Sequence, residues 1–158
     1  GLLVAQGRLL HCELRSGWGI DAPRLAFCGL NPHASDQGLF GDEEAEVMKP
    51  AIDRLRSRGV DATGPLPADT VFGRALDGEF DAVVAPYHDV GMAAFKTVSF
   101  GHGVNVTLGL PFPRTSPDHG TAFDIVGSGV ADPTSTLEAL RLAVRLVEGR
   151  FDTPGGPI

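Results

Sequence analysis

Residues 82–91 read Ala82-Val83-Val84-Ala85-Pro86-Tyr87-His88-Asp89-Val90-Gly91. A short apolar run stops at a proline. A histidine and a carboxylate follow side by side, and a helical pattern then runs from Asp89 to about Val98. This is the pattern of a buried strand, a polar turn and a helix. Working outward, the same order recurs. Arg24 to Cys28 is an apolar run of strand length, followed by a loop from Gly29 to Gly41 rich in turn formers. Asp42 is placed to cap a helix reaching about Arg58, with a kink or break at Pro50 and a stop at Gly59. Val60 to Thr63 reads as a second strand and Asp69 to Ala75 as a short helix; Asp81 to Ala85 is the third strand.

Beyond the opening stretch, Gly103 to Leu108 reads as a fourth strand. A loop from Gly109 to Asp118 carries Arg114, and His119 to Val126 reads as a short helix. Ser135 to Glu148 repeats Leu137, Leu140, Ala143, Val144 and Val147 on one face, an amphipathic helix. Upstream, Leu2, Leu3, Leu9, Leu10 and Leu14 predict a first helix ended by Gly17. Strands alternating with helices indicate an α/β domain with a parallel or mixed sheet and flanking helices. Such sheets bind ligands outside the carboxyl ends of their strands. His33 follows the first strand, Asp69 the second, His88 and Asp89 the third, and Arg114 the fourth. Parallel strands would bring all of them to one sheet edge.

The bulk properties narrow the class. The 158 residues fit one domain, so 1–150 is read as one unit and 151–158, with its Pro-Gly-Gly-Pro run, as a flexible tail. A net charge of −7 argues against a nucleic-acid partner, which wants basic surface. No run approaches the ~18 apolar residues of a membrane span, so no membrane partner is expected. Gly1 to Ala5 lacks the basic start of a signal peptide. Cys12 and Cys28 form no disulfide framework or zinc ribbon and suit a reducing cytoplasm.

Several residues could carry chemistry. Imidazoles on separate loops with carboxylates nearby, His33 and His88 among them, suit a divalent metal; each could equally be a hydrogen-bonding loop residue. Asp69 and Asp89 could cap the helices they open. Lys96, in apolar company, could snorkel or hold an anion. Asn105, inside an apolar strand, would need a hydrogen-bond partner if buried. Arg114 could clamp a carboxylate or phosphate, or form a surface ion pair. Gly127-Ser128-Gly129 fails as a dinucleotide fingerprint, since Asp132 stands where its third glycine belongs and no strand precedes it. Gly38 to Gly41 fails as a P-loop.

Taken as words, Cys28-Gly29-Leu30-Asn31-Pro32-His33-Ala34, Gly64-Pro65-Leu66-Pro67-Ala68-Asp69-Thr70, Tyr87-His88-Asp89, Phe95-Lys96, Gly103 to Pro111 and Arg114 to Ala122 resemble the 4-hydroxythreonine-4-phosphate dehydrogenase family of vitamin B6 biosynthesis. The resemblance runs from about Arg24 to Val147. It implies an isocitrate/isopropylmalate dehydrogenase-like fold, of which this chain is the C-terminal portion. It also implies a homodimer with the active site shared across the interface. The cofactors implied are NAD or NADP and a divalent metal, such as Zn, Mg, Co or Mn. The substrate implied is a phosphorylated hydroxy acid, oxidised to a β-keto acid that decarboxylates. By the same resemblance, His33 and His88 are metal ligands, with a third histidine expected before residue 1. Lys96, Asn105 and Arg114 are substrate contacts. Asp69, Asp89 and Lys96 are catalytic candidates.

The chain departs from the family in places. Val90 stands where the family commonly carries glutamine, and Ala34-Ser35-Asp36-Gln37 replaces a more glycine-rich loop. Two other readings are a relative acting on another four-carbon acid phosphate or an aromatic dihydrodiol acid, and a non-catalytic remnant that folds and dimerises. The chain alone is expected to be inactive.

Overall fold

The computed structural model describes residues 1–99 and 101–149; the expected tail at 151–158 lies outside them. The chain divides into two compact units, Gly1–Ala94 and Phe95–Ile158.

The first unit is organised by strand β1, Arg24–Cys28. A strand turns successive side chains to opposite faces, and here both faces are buried. Leu25 and Phe27 point into one core with Val4, Leu14, Met48, Ile52 and Leu55. Ala26 and Cys28 point into a second core with Val71 and Phe80. Helices α1 (Leu2–Ser16) and α2 (Lys49–Arg56) supply the first core. Helix α3 (Ala68–Leu76) supplies Val71 to the second. Each fully buried side chain of the size of Phe27, Ile52 or Leu55 contributes roughly 1.5–3 kcal/mol relative to exposure.

Strands β2 (Asp61–Leu66) and β3 (Ala82–Val84) flank β1 in the order β2-β1-β3, both parallel to it. The expected alternation of strand and helix is therefore realised in this unit. Strand β2 runs further than Val60 to Thr63, through Gly64 and Pro65. Proline is tolerated because β2 is an edge strand. Gly64 is needed where β1 and β2 come close: a Cβ there would lie 2.6 Å from the Phe27 carbonyl oxygen, at φ +145°. The ladder is irregular at this point, between Ala26 and Cys28. Arg24 pairs with Asp81 across the sheet at 2.9 Å, and the guanidinium holds the Asp81 carboxyl below its ordinary range against the opposing effect of burial.

The helix expected from Asp42 arrives in two pieces. A π-helical segment covers Glu44–Met48, and α2 follows with Pro50 in its first turn. The break at Pro50 is thus realised as a change of helix type at a position where a missing N–H is harmless. No side chain caps the start; Asp42 contributes its carbonyl, which accepts from the Glu46 N–H at 2.8 Å.

Helix α4, His88–Ser99, follows β3. In the second unit β4 (Val104–Thr107) pairs antiparallel with β5 (Arg114–Pro117). Helix α5, Thr134–Glu148, packs on this pair through Ala139, whose carbonyl accepts the Thr115 hydroxyl at 2.8 Å. Two expectations are corrected here. The stretch Gly109 to Asp118 contains a strand. His119 to Val126 is not a helix but only a 3-10 turn at Phe123–Ile125, because Ala122 at φ +50° and Gly127 at φ +78° leave the helical region.

Candidate functional site

The carboxyl ends of β1, β2 and β3 each lead into a residue singled out in the sequence. β1 ends at Cys28, and Pro32–Gly38 then forms a tight turn carrying His33. Five consecutive residues, His33, Ala34, Ser35, Asp36 and Gln37, have φ between 42° and 70°. β2 ends at Leu66, and Asp69 lies in the first turn of α3. β3 ends at Val84, and α4 opens with His88 and Asp89. Because the three strands are parallel, these residues lie along one sheet edge.

His33 and Asp69 are brought together. The imidazole Nδ1 is 3.7 Å from Asp69 Oδ2, with both side chains well exposed. The Tyr87 hydroxyl donates to Asp89 Oδ2 at 2.9 Å. An open cleft of about 520 Å³ adjoins His33, lined also by Ser35, Asp36, Asp42, Lys49 and Pro65. Imidazole and carboxylate donors of this kind suit zinc, cobalt or nickel. Among the described residues no group of three or more His, Cys, Asp or Glu is assembled for a metal.

Lys96, Asn105 and Arg114 belong to the second unit. Lys96 donates to the Asp118 carbonyl at 2.8 Å and to Asp118 Oδ2 at 2.9 Å. Asp118 Oδ1 accepts from the Ser135 hydroxyl at 3.1 Å. The Lys96 ammonium holds the Asp118 carboxyl below its usual range; burial opposes this and Ser135 assists. Arg114 is in β5 and donates to the Thr107 hydroxyl at 2.8 Å. The strand before it, β4, pairs antiparallel with β5 in a separate two-stranded sheet, so it is not the fourth parallel strand that the expectation for Arg114 assumed. Asn105 is exposed rather than buried, opposite Ser116 in the ladder.

One group escaped the sequence reading. Glu44 is 1% exposed. Burial pushes its carboxyl up, but donors from Asn31 and Leu30 outweigh that and hold it below the ordinary range. The signal was present: Glu44, Met48, Ile52 and Leu55 share one helical face, and a carboxylate on an apolar face must be hydrogen-bonded.

Comparison with known proteins gives the family. The family model described as pyridoxal phosphate biosynthetic protein PdxA matches residues 2–143. A protein of Methylorubrum populi named 4-hydroxythreonine-4-phosphate dehydrogenase is 52% identical over 147 residues, 93% of this chain and 42% of the relative. The crystal structure of 4-hydroxythreonine-4-phosphate dehydrogenase from Klebsiella pneumoniae superposes with a TM-score of 0.83 at 46% identity, over 91% of this chain and 43% of that one. A terephthalate 1,2-cis-dihydrodiol dehydrogenase from Burkholderia xenovorans gives a TM-score of 0.68 at 33% identity, over 90% of this chain and 44% of that one. The chain spans less than half the length of these relatives, and it belongs to the PdxA family of pyridoxal phosphate biosynthetic proteins.

Proposed function

We propose that this chain is the C-terminal portion of an NAD(P)- and divalent-metal-dependent dehydrogenase of the isocitrate/isopropylmalate dehydrogenase-like fold. Its substrate would be 4-phosphohydroxy-L-threonine, oxidised to a β-keto acid that loses carbon dioxide. The observation that carries this reading is the alignment of His33, Asp69, His88 and Asp89 along one parallel-sheet edge, in a chain that matches the PdxA model over 2–143. Identity of 52% to a phosphohydroxythreonine enzyme against 33% to the dihydrodiol enzyme favours the phosphorylated substrate.

In this reading His33 and His88 are two of the metal ligands, and the remaining donors come from outside this chain. A divalent metal supplies Lewis acidity toward a substrate hydroxyl and toward the enolate left by decarboxylation. Asp69 faces the His33 imidazole and fixes its orientation. Asp89, held by the Tyr87 hydroxyl, would accept the substrate hydroxyl proton, and a bound nicotinamide would supply the acceptor for the hydride of the hydroxyl-bearing carbon. Decarboxylation then leaves the electron pair of the broken carbon–carbon bond on the enolate, which is reprotonated at carbon. Lys96, Asn105 and Arg114 hold anionic and polar substrate groups. Lys96 acts there as a cation, since two of its three donors are committed to Asp118. A homodimer with the active site shared between subunits completes the reading. It is supported by the family resemblance and by the exposed Phe112, Phe123 and Val126.

A chimera tests this, with the part of the Methylorubrum populi protein outside the matched region joined ahead of this chain. It should reduce NAD with 4-phosphohydroxy-L-threonine, lose that activity to a chelator, and lose it in His33→Ala and His88→Ala. Full turnover in either variant or in the presence of chelator would refute the assignment. The chain alone should not turn over; sustained activity from it would show that the site is complete without further donors.

A further inference from the structure

Glu44 is a buried carboxylate on the helical face that builds the first core. Its oxygens are taken up by the two residues that lead out of β1. Oε1 accepts the Leu30 N–H at 2.8 Å and the Asn31 N–H at 2.7 Å, and Oε2 accepts from Asn31 Nδ2 at 2.9 Å. Asn31 Nδ2 also lies 2.8 Å from Glu43 Oε2. The Asn31 carbonyl in turn accepts the Ala34 N–H at 3.1 Å. The packing is close enough that a Cβ on Gly29 would meet Ala34 Cα at 3.0 Å and Glu44 Oε1 at 3.3 Å.

Immediately beyond Asn31 and Pro32 come the five non-glycine residues of positive φ. Such conformations persist only where the surroundings over-determine them. We propose that Glu44 is a positioning residue: its carboxylate clamps Leu30 and Asn31, holds the His33–Gln37 turn in its left-handed course, and so sets the His33 imidazole against Asp69. The inference deepens the function proposed above and rests on His33 being a working residue of that site.

The test uses the full 158-residue chain. Glu44→Gln keeps an oxygen for the two backbone donors but turns an amide toward Asn31 Nδ2, donor against donor. Ile52→Val loosens the same core without touching the clamp and serves as the control for simple destabilisation. Two quantities are read on folded protein: the NMR three-bond couplings that report positive φ at residues 33–37, and Co²⁺ affinity by absorbance. In Glu44→Gln the couplings should change and Co²⁺ affinity should fall by about 10–100-fold, while Ile52→Val alters neither. If Glu44→Gln does not fold, Asn31→Ala removes only the side-chain donor and should give a smaller change in the same two readouts. Unchanged couplings and affinity in a folded clamp variant would overturn the inference. Absence of Co²⁺ binding to the wild-type chain would show that binding needs the donors from outside it, and the couplings alone would then decide the role of Glu44.

Discussion

Replacing Gly64 with alanine is expected to be among the most damaging single changes in this chain. The added Cβ would sit 2.6 Å from the Phe27 carbonyl oxygen and 2.9 Å from Phe27 Cβ. The carbonyl belongs to the central strand and has no rotamer to escape into. A backbone at φ +145° adds strain of about 1–3 kcal/mol for a residue with a Cβ. Separating β1 from β2 to relieve the contact leaves buried backbone groups unpaired, at about 1–3 kcal/mol each. Together these give a loss of about 3–5 kcal/mol, a large part of the roughly 5–15 kcal/mol typical of a domain. With a urea m-value of about 2 kcal/mol/M, the unfolding midpoint should fall by about 2 M. Gly73 is the counterpart. It lies inside α3 with nothing among the described residues within 4 Å of an added Cβ, so Gly73→Ala should stabilise by about 0.8–1.0 kcal/mol. Urea titration followed by circular dichroism reads both. A Gly64→Ala midpoint within about 0.5 M of wild type would refute the close approach of the two strands.

Two further outcomes are expected. The Asp118 carboxyl is held below its ordinary value mainly by Lys96. Its stabilising effect is therefore complete above the unfolded value of about 3.9 and disappears as pH falls through the lower folded value. Asp118→Asn should lower stability at pH 7 and flatten the loss of stability below about pH 4; parallel urea midpoint curves for the two proteins against pH would contradict this. Gln37 is exposed at φ +58°, where relief of left-handed strain is worth about 1–2 kcal/mol and the entropy of a glycine costs about 0.5–1 kcal/mol. Gln37→Gly should therefore raise stability slightly, and a lower thermal midpoint would argue against the left-handed course of the turn.

The first unit was legible because its strands obey a simple rule. Arg24 to Cys28 and Ala82 to Val84 are apolar runs bounded by turn formers, and the residues after them fall at the sheet's edge without further assumption. The second unit was less legible. Arg114-Thr115-Ser116-Pro117 has neither apolar alternation nor β-branched density, and its strand character comes from pairing with Val104–Thr107. That pairing is antiparallel and separate from the β2-β1-β3 sheet, so the rule that located the other residues does not extend to Arg114. The His33–Asp69 contact was implicit in the strand order, whereas the left-handed turn was not. Ala34, Ser35 and Gln37 favour negative φ, and tertiary anchoring overrides them. Glu44 was hidden for a different reason: an acidic residue near a helix start has a sufficient local explanation in the helix dipole, which masked its place on the buried face.

Cys28 closes β1, fully buried, whereas Cys12 lies exposed on α1. Burial, with Glu44 nearby, pushes the Cys28 thiol above its ordinary range, so it is both shielded and chemically quiet. The chain thus carries a built-in stopwatch. A thiol reagent should consume Cys12 at once and Cys28 only as often as the end of the central strand breathes open. The slow phase of labelling would time, without any engineered probe, how long the end of β1 stays shut.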